Sequence, residues 1–272
     1  MENLIHTLFT FEPISLAEMD SVALMNRTDT KFIFRFDKLE NYLSRLSKDY
    51  RVLEINGMRA SKYETLYFDT VDFQMYRDHH RGKLNRYKIR HRIYVDSDLH
   101  FFEIKFKNNK GRTIKSRIKK KEIDRTITGN AETFLNEKTN FSAQELVPKL
   151  WSNCSRITLV NKFSKERLTL DINLQFKNEL LEKNLPNIVI AEVKQEKLSP
   201  SPFIKLMKEE RIKQGSISKY CYGVVFLYNQ IKHNNFKPNL LTINKICNYP
   251  LNSPGQFKYA EQEQANSMQS VA

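Results

Sequence analysis

Three successive stretches between Arg86 and Lys119 alternate with a period of two, and each places its cations on one side. In Arg86-Tyr-Lys-Ile-Arg-His-Arg-Ile-Tyr94, residues Arg86, Lys88, Arg90 and Arg92 oppose Tyr87, Ile89 and Ile93. In Phe101–Lys107, residues Glu103, Lys105 and Lys107 oppose Phe102, Ile104 and Phe106. In the third stretch Lys115, Arg117 and Lys119 oppose Ile114 and Ile118. That period dictates β-strands, and residues 108–111 provide a hairpin loop between the second and third. Like charges facing each other on adjacent strands destabilise a sheet. Such a face is therefore either fully solvated or built to receive an anion.

The charge balance of the whole chain points the same way. A formal net charge of +14 over 272 residues directs attention to nucleic acid, polyphosphate, nucleotides or acidic membrane. Cys154, Cys221 and Cys247 show no metal-ligand spacing and read as free thiols of a reducing compartment. The histidines form no zinc motif, and His79-His80 lies in a polar stretch. With neither a secretory leader pattern nor an apolar run near the ~18 residues that span a bilayer, a cytoplasmic location is expected. Docking on a membrane protein stays open.

Around the basic strands, the pattern predicts an amphipathic helix over Pro13–Met25 started near Ser15, and a strand Arg27–Phe34 with Arg27, Asp29 and Lys31 on one face. A helix over Phe36–Leu46, a strand over Tyr50–Ile55 and a strand over Tyr63–Thr70 follow. Tyr67 and Phe68 read as packing residues; Asp69 and Asp171 read as turn or capping groups near strand ends. A short helical piece covers Val71–His80, and Ala131–Trp151 reads as helical. The strands Arg156–Val160 and Arg167–Asn173 pair around a turn at Phe163–Glu166, and Ile188–Lys194 is an apolar strand carrying Glu192 and Lys194 on one face. Helices are predicted over Ser201–Ile212 and Ser218–Gln230. Residues 1–232 form one domain, and the polar stretch 233–272 is expected to be a disordered tail.

Several amphipathic helices need an apolar surface. If the sheet closes, its apolar face meets them outside and its charged face lines the lumen. The expected fold is thus α+β, an antiparallel barrel of about eight strands forming a basic tunnel with helices packed outside. Cations left unpaired in such a lumen are costly, and a polyanion would supply the counter-charge.

The ordered series Arg27-x-Asp29-x-Lys31-Phe32, Tyr67-Phe-Asp-Thr70, Arg86-x-Lys88-x-Arg90-x-Arg92, Phe102-Glu103-x-Lys105, Lys115-x-Arg117, Arg167-x-Thr169-x-Asp171, Glu192-x-Lys194 and Ser218-Lys-Tyr220 resembles the VTC domain. That domain is the polyphosphate polymerase module of vacuolar transporter chaperone complexes and bacterial relatives, within the CYTH-like group of triphosphate tunnel metalloenzymes. The resemblance implies a phosphotransferase that moves the terminal phosphoryl group of ATP onto inorganic polyphosphate with Mn²⁺ or Mg²⁺. Carried over motif by motif, Arg90, Arg92, Lys105 and Arg167 would act on the transferring group. Lys31, Lys115, Arg117, Lys194, Ser218 and Lys219 would bind phosphates. Glu192 would hold the metal, with Glu103 a second candidate; for both the rival role is a cross-strand ion pair, and Asp29 and Asp171 are the further carboxylates available. Arg86, Lys88 and Lys107 are assigned to the rim, and Lys119-Lys-Lys121 to a solvated strand end.

These residue types suit the chemistry. A terminal phosphate titrates near pH 6 and needs no side-chain base. Transfer then depends on alignment and charge neutralisation; arginine forks grip two oxygens while lysines act as point charges. The hydrolytic relatives begin with Glu-x-Glu-x-Lys, whereas this chain has Arg27-Thr-Asp-Thr-Lys31 with one acid, which weighs towards transfer. A tripolyphosphate or nucleoside triphosphate hydrolase and a non-catalytic polyphosphate sensor remain alternatives. A nucleic-acid partner is not expected, because Tyr87, Phe102 and Phe106 alternate onto the face opposite the cations.

Overall fold

The computed structural model describes residues 2–20, 28–196 and 199–247. In chain order the elements are α1 (Glu2–Phe9), β1 (Glu12–Ile14), α2 (Leu16–Asp20), β2 (Thr28–Arg35), α3 (Leu39–Leu46), β3 (Tyr50–Leu53), β4 (Ser61–Thr70), α4 (Gln74–His80), β5 (Arg86–Tyr94), β6 (Leu99–Lys107) and β7 (Thr113–Lys120). There follow α5 (Asn130–Lys138), β8 (Leu146–Asn161), β9 (Glu166–Lys177), β10 (Glu182–Leu185), β11 (Ile188–Gln195), α6 (Pro202–Glu209), α7 (Lys219–Leu227) and α8 (Lys237–Cys247). The helix predicted from Pro13 is α2, entered through Ser15, whose hydroxyl accepts from the Glu18 amide while Glu18 accepts the Ser15 amide in return. Its expected continuation to Met25, and Arg27 of the following motif, lie outside the described residues.

The strands form one sheet in the order β2-β11-β9-β8-β4-β5-β6-β7, with β1, β3 and β10 added at its margins. All pairings are antiparallel except β1 with β3. Phe32, Leu159, Leu168 and Val193 on one face pack under α1, α3 and α6; Phe68, Ile89, Phe102 and Ile104 pack under α5. Those two clusters are the apolar faces that the alternation predicts. On the other face, Ile33, Leu150, Leu174, Phe176 and Ile190 form a third cluster with α7 and α8. These helices cap one end of the basic face.

The sheet is strongly curled. Glu192 on β11 acts electrostatically on Lys105 of β6, although β9, β8, β4 and β5 lie between their strands. On a flat sheet five strand spacings would hold them about 24 Å apart. The curl stops short of a barrel. The expected closure does not occur: β2 and β7 end the series and do not pair with each other among the described residues. Closing it would set Lys115 and Lys119 against a wall that already carries Lys31 and Lys194, at the cost of facing like charges. Instead, the Gly215 amide donates to the Lys31 carbonyl at 2.9 Å and covers part of the β2 edge, while cations guard exposed β7.

Three further expectations are corrected. The segment Ala131–Trp151 is helical only in α5; from Leu146 it is strand, with Leu146, Leu150, Ser152 and Cys154 buried in alternation. Pro148 is tolerated there because it sits opposite Phe68, at the register shift between β4 and β8. Asp171 lies in the middle of β9, not near its end. The stretch assigned to a tail contains α8, whose Ile243 is 1% exposed in the α7 cluster; residues 248–272 lie outside the described residues.

Candidate anion site on the basic face

Register brings the cations into rungs. Arg117, Glu103 and Arg90 are neighbours across β7, β6 and β5, as are Lys115, Lys105 and Lys88. Tyr67 of β4 lies beside Arg90, and Thr65 beside Arg92. On the opposite wing, Arg156 and Asp171 pair across β8 and β9, Lys31 and Glu192 across β2 and β11, and Arg167 lies level with Lys194. The α7 N-terminus spans the gap: Ser218 accepts from the Lys88 ammonium at 2.8 Å, and Lys219 reaches Asp171 at 2.6 Å. Ser218 also caps α7 by accepting from the Cys221 amide, so the positive end of the helix faces the lumen.

Carboxylates are outnumbered, and three of them, Glu103, Asp171 and Glu192, each serve two cations. Glu103, fully buried, accepts from Arg90 at 2.8 and 2.5 Å and pairs with Lys115. Burial would raise its carboxyl, but Arg90, Arg92 and Lys115 overcome this and hold it far below the usual carboxylate range. Asp171 takes a two-point grip from Arg156 at 2.6 and 2.8 Å in addition to Lys219, and its carboxyl is likewise depressed by those two cations against its burial. Glu192 is held by Lys31 at 2.7 Å and by Lys194; Lys194, then Lys31, overcome burial and keep it ionised.

Other cations have no carboxylate. Among the described residues, Arg92 bonds only the Thr65 hydroxyl at 3.3 Å and lies over the Tyr63 ring, with 9% of its surface exposed. Lys105 has no ion pair among the described residues, and repulsion from Arg90, followed by burial and Arg92, pushes its ammonium well below the ordinary lysine range. Burial likewise brings Lys115 and Lys194 down to about 8 in spite of Glu103 and Glu192. Arg117 sits exposed on the edge strand, its guanidinium 4.4 Å from the Phe101 ring centre.

The structure thus brings Lys31, Arg90, Arg92, Lys105, Lys115, Arg167, Lys194, Ser218 and Lys219 to one face with Glu103 and Glu192, and leaves Arg117 at its rim. Arg156 escapes the sequence reading, and Lys88, Asp171 and Tyr67, though part of the motif series, are assigned other places by it. Lys88 is not a rim residue but reaches Ser218. Arg156 and Asp171 form the floor of the site; the pairing of β8 with β9, which aligns them, becomes visible only with the register. Tyr67 is on the cationic face, its hydroxyl accepting from Arg90 at 3.4 Å and its ring 5.1 Å from Tyr220. Burial raises its phenol, yet Arg90 and Arg92 outweigh it and bring it below the ordinary tyrosine value. Tyr63 and Phe101 share that face through the same register. Asp69 does cap, as expected: it accepts from the Thr70, Met75 and Tyr76 amides, and from the Tyr220 hydroxyl.

The sequence profile of the VTC domain matches residues 26–228, which takes in every element from β2 to α7. The chain belongs to the VTC domain family. Solved structures resemble this VTC domain at low identity. A Bacillus halodurans protein provisionally assigned as an adenylate cyclase aligns at 14% identity and a TM-score of 0.47, over 75% of this chain and all of its own (100%). A Hippeastrum protein with a provisional adenylyl cyclase assignment, described as having a dominant triphosphatase activity, aligns at 12% identity and a TM-score of 0.43, over 76% and 100% of the two chains. The PH1819 protein of Pyrococcus horikoshii gives 12% identity and 0.43 over 74% and 98%. Comparison with curated proteins finds no match. Among the described residues of the VTC domain no helix is long and apolar enough to cross a membrane, and no three His, Cys, Asp or Glu side chains stand close enough to hold a metal unaided.

Proposed function

We propose that this VTC domain is a phosphotransferase that passes the terminal phosphoryl group of ATP onto inorganic polyphosphate held along the basic face. The observation that carries the reading is Lys105. It is a lysine between Lys88 and Lys115 in the sheet, with no ion pair among the described residues, and the repulsion of Arg90 and Arg92 outweighs the attraction of Glu192 and Glu103. Burying like charges this closely is unfavourable unless a chain of phosphates completes the site.

In this reading Arg92 and Lys105 neutralise charge on the transferring group, Arg90 and Arg167 align it, and Lys31, Lys115, Lys194, Ser218 and Lys219 hold neighbouring phosphates. Arg117 guides the chain at the open edge. The residues fit a divalent cation that arrives with its substrate: a Mg²⁺-like ion takes one or two carboxylates and completes its shell with waters and substrate phosphates. Glu192 is the carboxylate for this, since phosphates can take over Lys31 and Lys194. Glu103, enclosed by Arg90 and Lys115, serves as their counter-ion. Bound Mn²⁺ or Mg²⁺ would supply charge neutralisation on the phosphate oxygens. The acceptor phosphate is already ionised near neutral pH, which accounts for a site built from cations without a base.

Incubation with ATP and Mn²⁺ tests the proposal. Long-chain polyphosphate resolved on a gel supports it; release of orthophosphate from tripolyphosphate without chain growth would assign hydrolysis in its place.

A further inference from the structure

Outside the basic face lies a second cavity, of about 530 Å³, well within the 300–1,000 Å³ range of small-molecule sites. It opens between α4 and the chain leaving the C-terminal end of α7. Its walls include the half-buried Phe73 and Tyr228, edge to face at 4.7 Å, with the fully buried Tyr76 packed behind them. At its rim stand Arg77, Arg81 and Lys232. Arg77 is paired with Asp72, whereas Arg81 and Lys232 have no acidic partner among the described residues and are exposed.

Two features hold the backbone around the cavity in place. The Tyr76 hydroxyl donates to the Lys232 carbonyl at 2.9 Å and fixes the rim to the wall. Phe73 adopts a left-handed backbone, φ 61°, unusual for a bulky side chain. The strain is maintained by its amide bond to the Thr70 carbonyl at 3.0 Å and by the Lys149 ammonium 4.1 Å from its ring centre. Strain of this kind is retained where it positions a side chain for use, and here it holds an aromatic ring at the cavity. Against the same wall, burial, followed by Lys232, His233 and Arg81, lowers the His80 imidazole from its ordinary value.

We infer that this cavity is a nucleotide site separate from the basic face, with the aromatic wall taking a planar base and Arg81 and Lys232 taking one or two phosphates. It shares a wall with the basic face: Asp69 bonds the Tyr76 amide on the cavity side and the Tyr220 hydroxyl on the other, and Tyr220 packs on Tyr67 beside Arg90.

The test is the stoichiometry of binding of fluorescent N-methylanthraniloyl-ADP. Wild type is expected to bind two equivalents, Arg81→Glu/Lys232→Glu one, and Arg92→Ala one. A charge-neutral Arg81→Gln/Lys232→Gln variant, checked for an unchanged Tm, should weaken the cavity equivalent about tenfold, and unphosphorylated adenosine should compete for it at least tenfold less well than ADP. Wild-type binding that the Arg81 and Lys232 variants leave unchanged overturns the inference. A single wild-type equivalent lost only in Arg92→Ala overturns it while sparing the basic-face reading; one lost only in the cavity variants supports it and counts against the basic-face reading.

Discussion

The two wings of the curled sheet carry similar cations but neutralise them differently. On the β8-β9-β11-β2 wing, Arg156 and Lys219 share Asp171, and Lys31 and Lys194 share Glu192. On the basic face of the β5-β6-β7 wing, Glu103 is the one paired carboxylate among the described residues, and it is consumed by Arg90 and Lys115. Arg92 and Lys105 are left without carboxylates there. The first wing is therefore a preassembled cradle, stable without ligand. The second is under electrostatic load that a polyanion would relieve. Removing Asp171, the acid at the floor of the paired wing, should damage the fold, and removing a cation from the loaded wing should damage function alone.

The largest effect sharpening that contrast is expected of Asp171→Asn. It strands Arg156 and Lys219, and breaking a buried pair costs about 3–5 kcal/mol; chemical denaturation should show the loss directly. Arg92→Ala should instead lower phosphoryl transfer about a hundredfold or more, the scale of losing one charge-stabilising donor, with Tm nearly unchanged. A comparable stability loss in both variants would break the distinction between the wings. Glu192→Gln should raise the divalent-metal concentration needed for half-maximal transfer about tenfold, leaving metal-free tripolyphosphate binding detectable by calorimetry.

Smaller shifts should follow the lysines. Lys105→Met relieves the load and should raise the Tm of the ligand-free protein by about 2 °C, while removing part of the further rise produced by tripolyphosphate. Lys115 and Lys194 titrate near 8 when folded, below the ordinary lysine value of about 10.4. The unfolded chain therefore binds more protons between about pH 8 and 10.4, so these groups make the ligand-free protein more stable as pH rises through that window. The added stability from tripolyphosphate should decline over the same rise, because the ammonium groups that hold it are lost. Differential scanning fluorimetry from pH 7 to 10 with and without tripolyphosphate checks both signs.

Alternation made the basic strands legible, since a period of two fixes which face Arg90, Lys105 and Arg117 share whatever the tertiary context. The hairpin at residues 108–111 was legible from its turn residues; Gly111 takes φ 75° there. The helix entered at Ser218 was legible from its capping residue. What escaped depended on register between strands distant in sequence. Asp171 reads as a strand-end acid until β8 and β9 are aligned and Arg156 lies opposite. Tyr67 reads as core because an aromatic strand buried on both faces has no visible alternation. The failure of the sheet to close was equally hidden, because it rests on repulsion between edge strands and on Gly215 covering β2.

The central claim is that the loaded wing waits for phosphates, and a crystal structure with tripolyphosphate bound tests it most directly. The account predicts phosphate oxygens within about 3 Å of the Arg92 guanidinium and the Lys105 ammonium, inside the curl of the sheet. Tripolyphosphate seated elsewhere on the molecule, with Arg92 and Lys105 making no contact to it, would contradict the account.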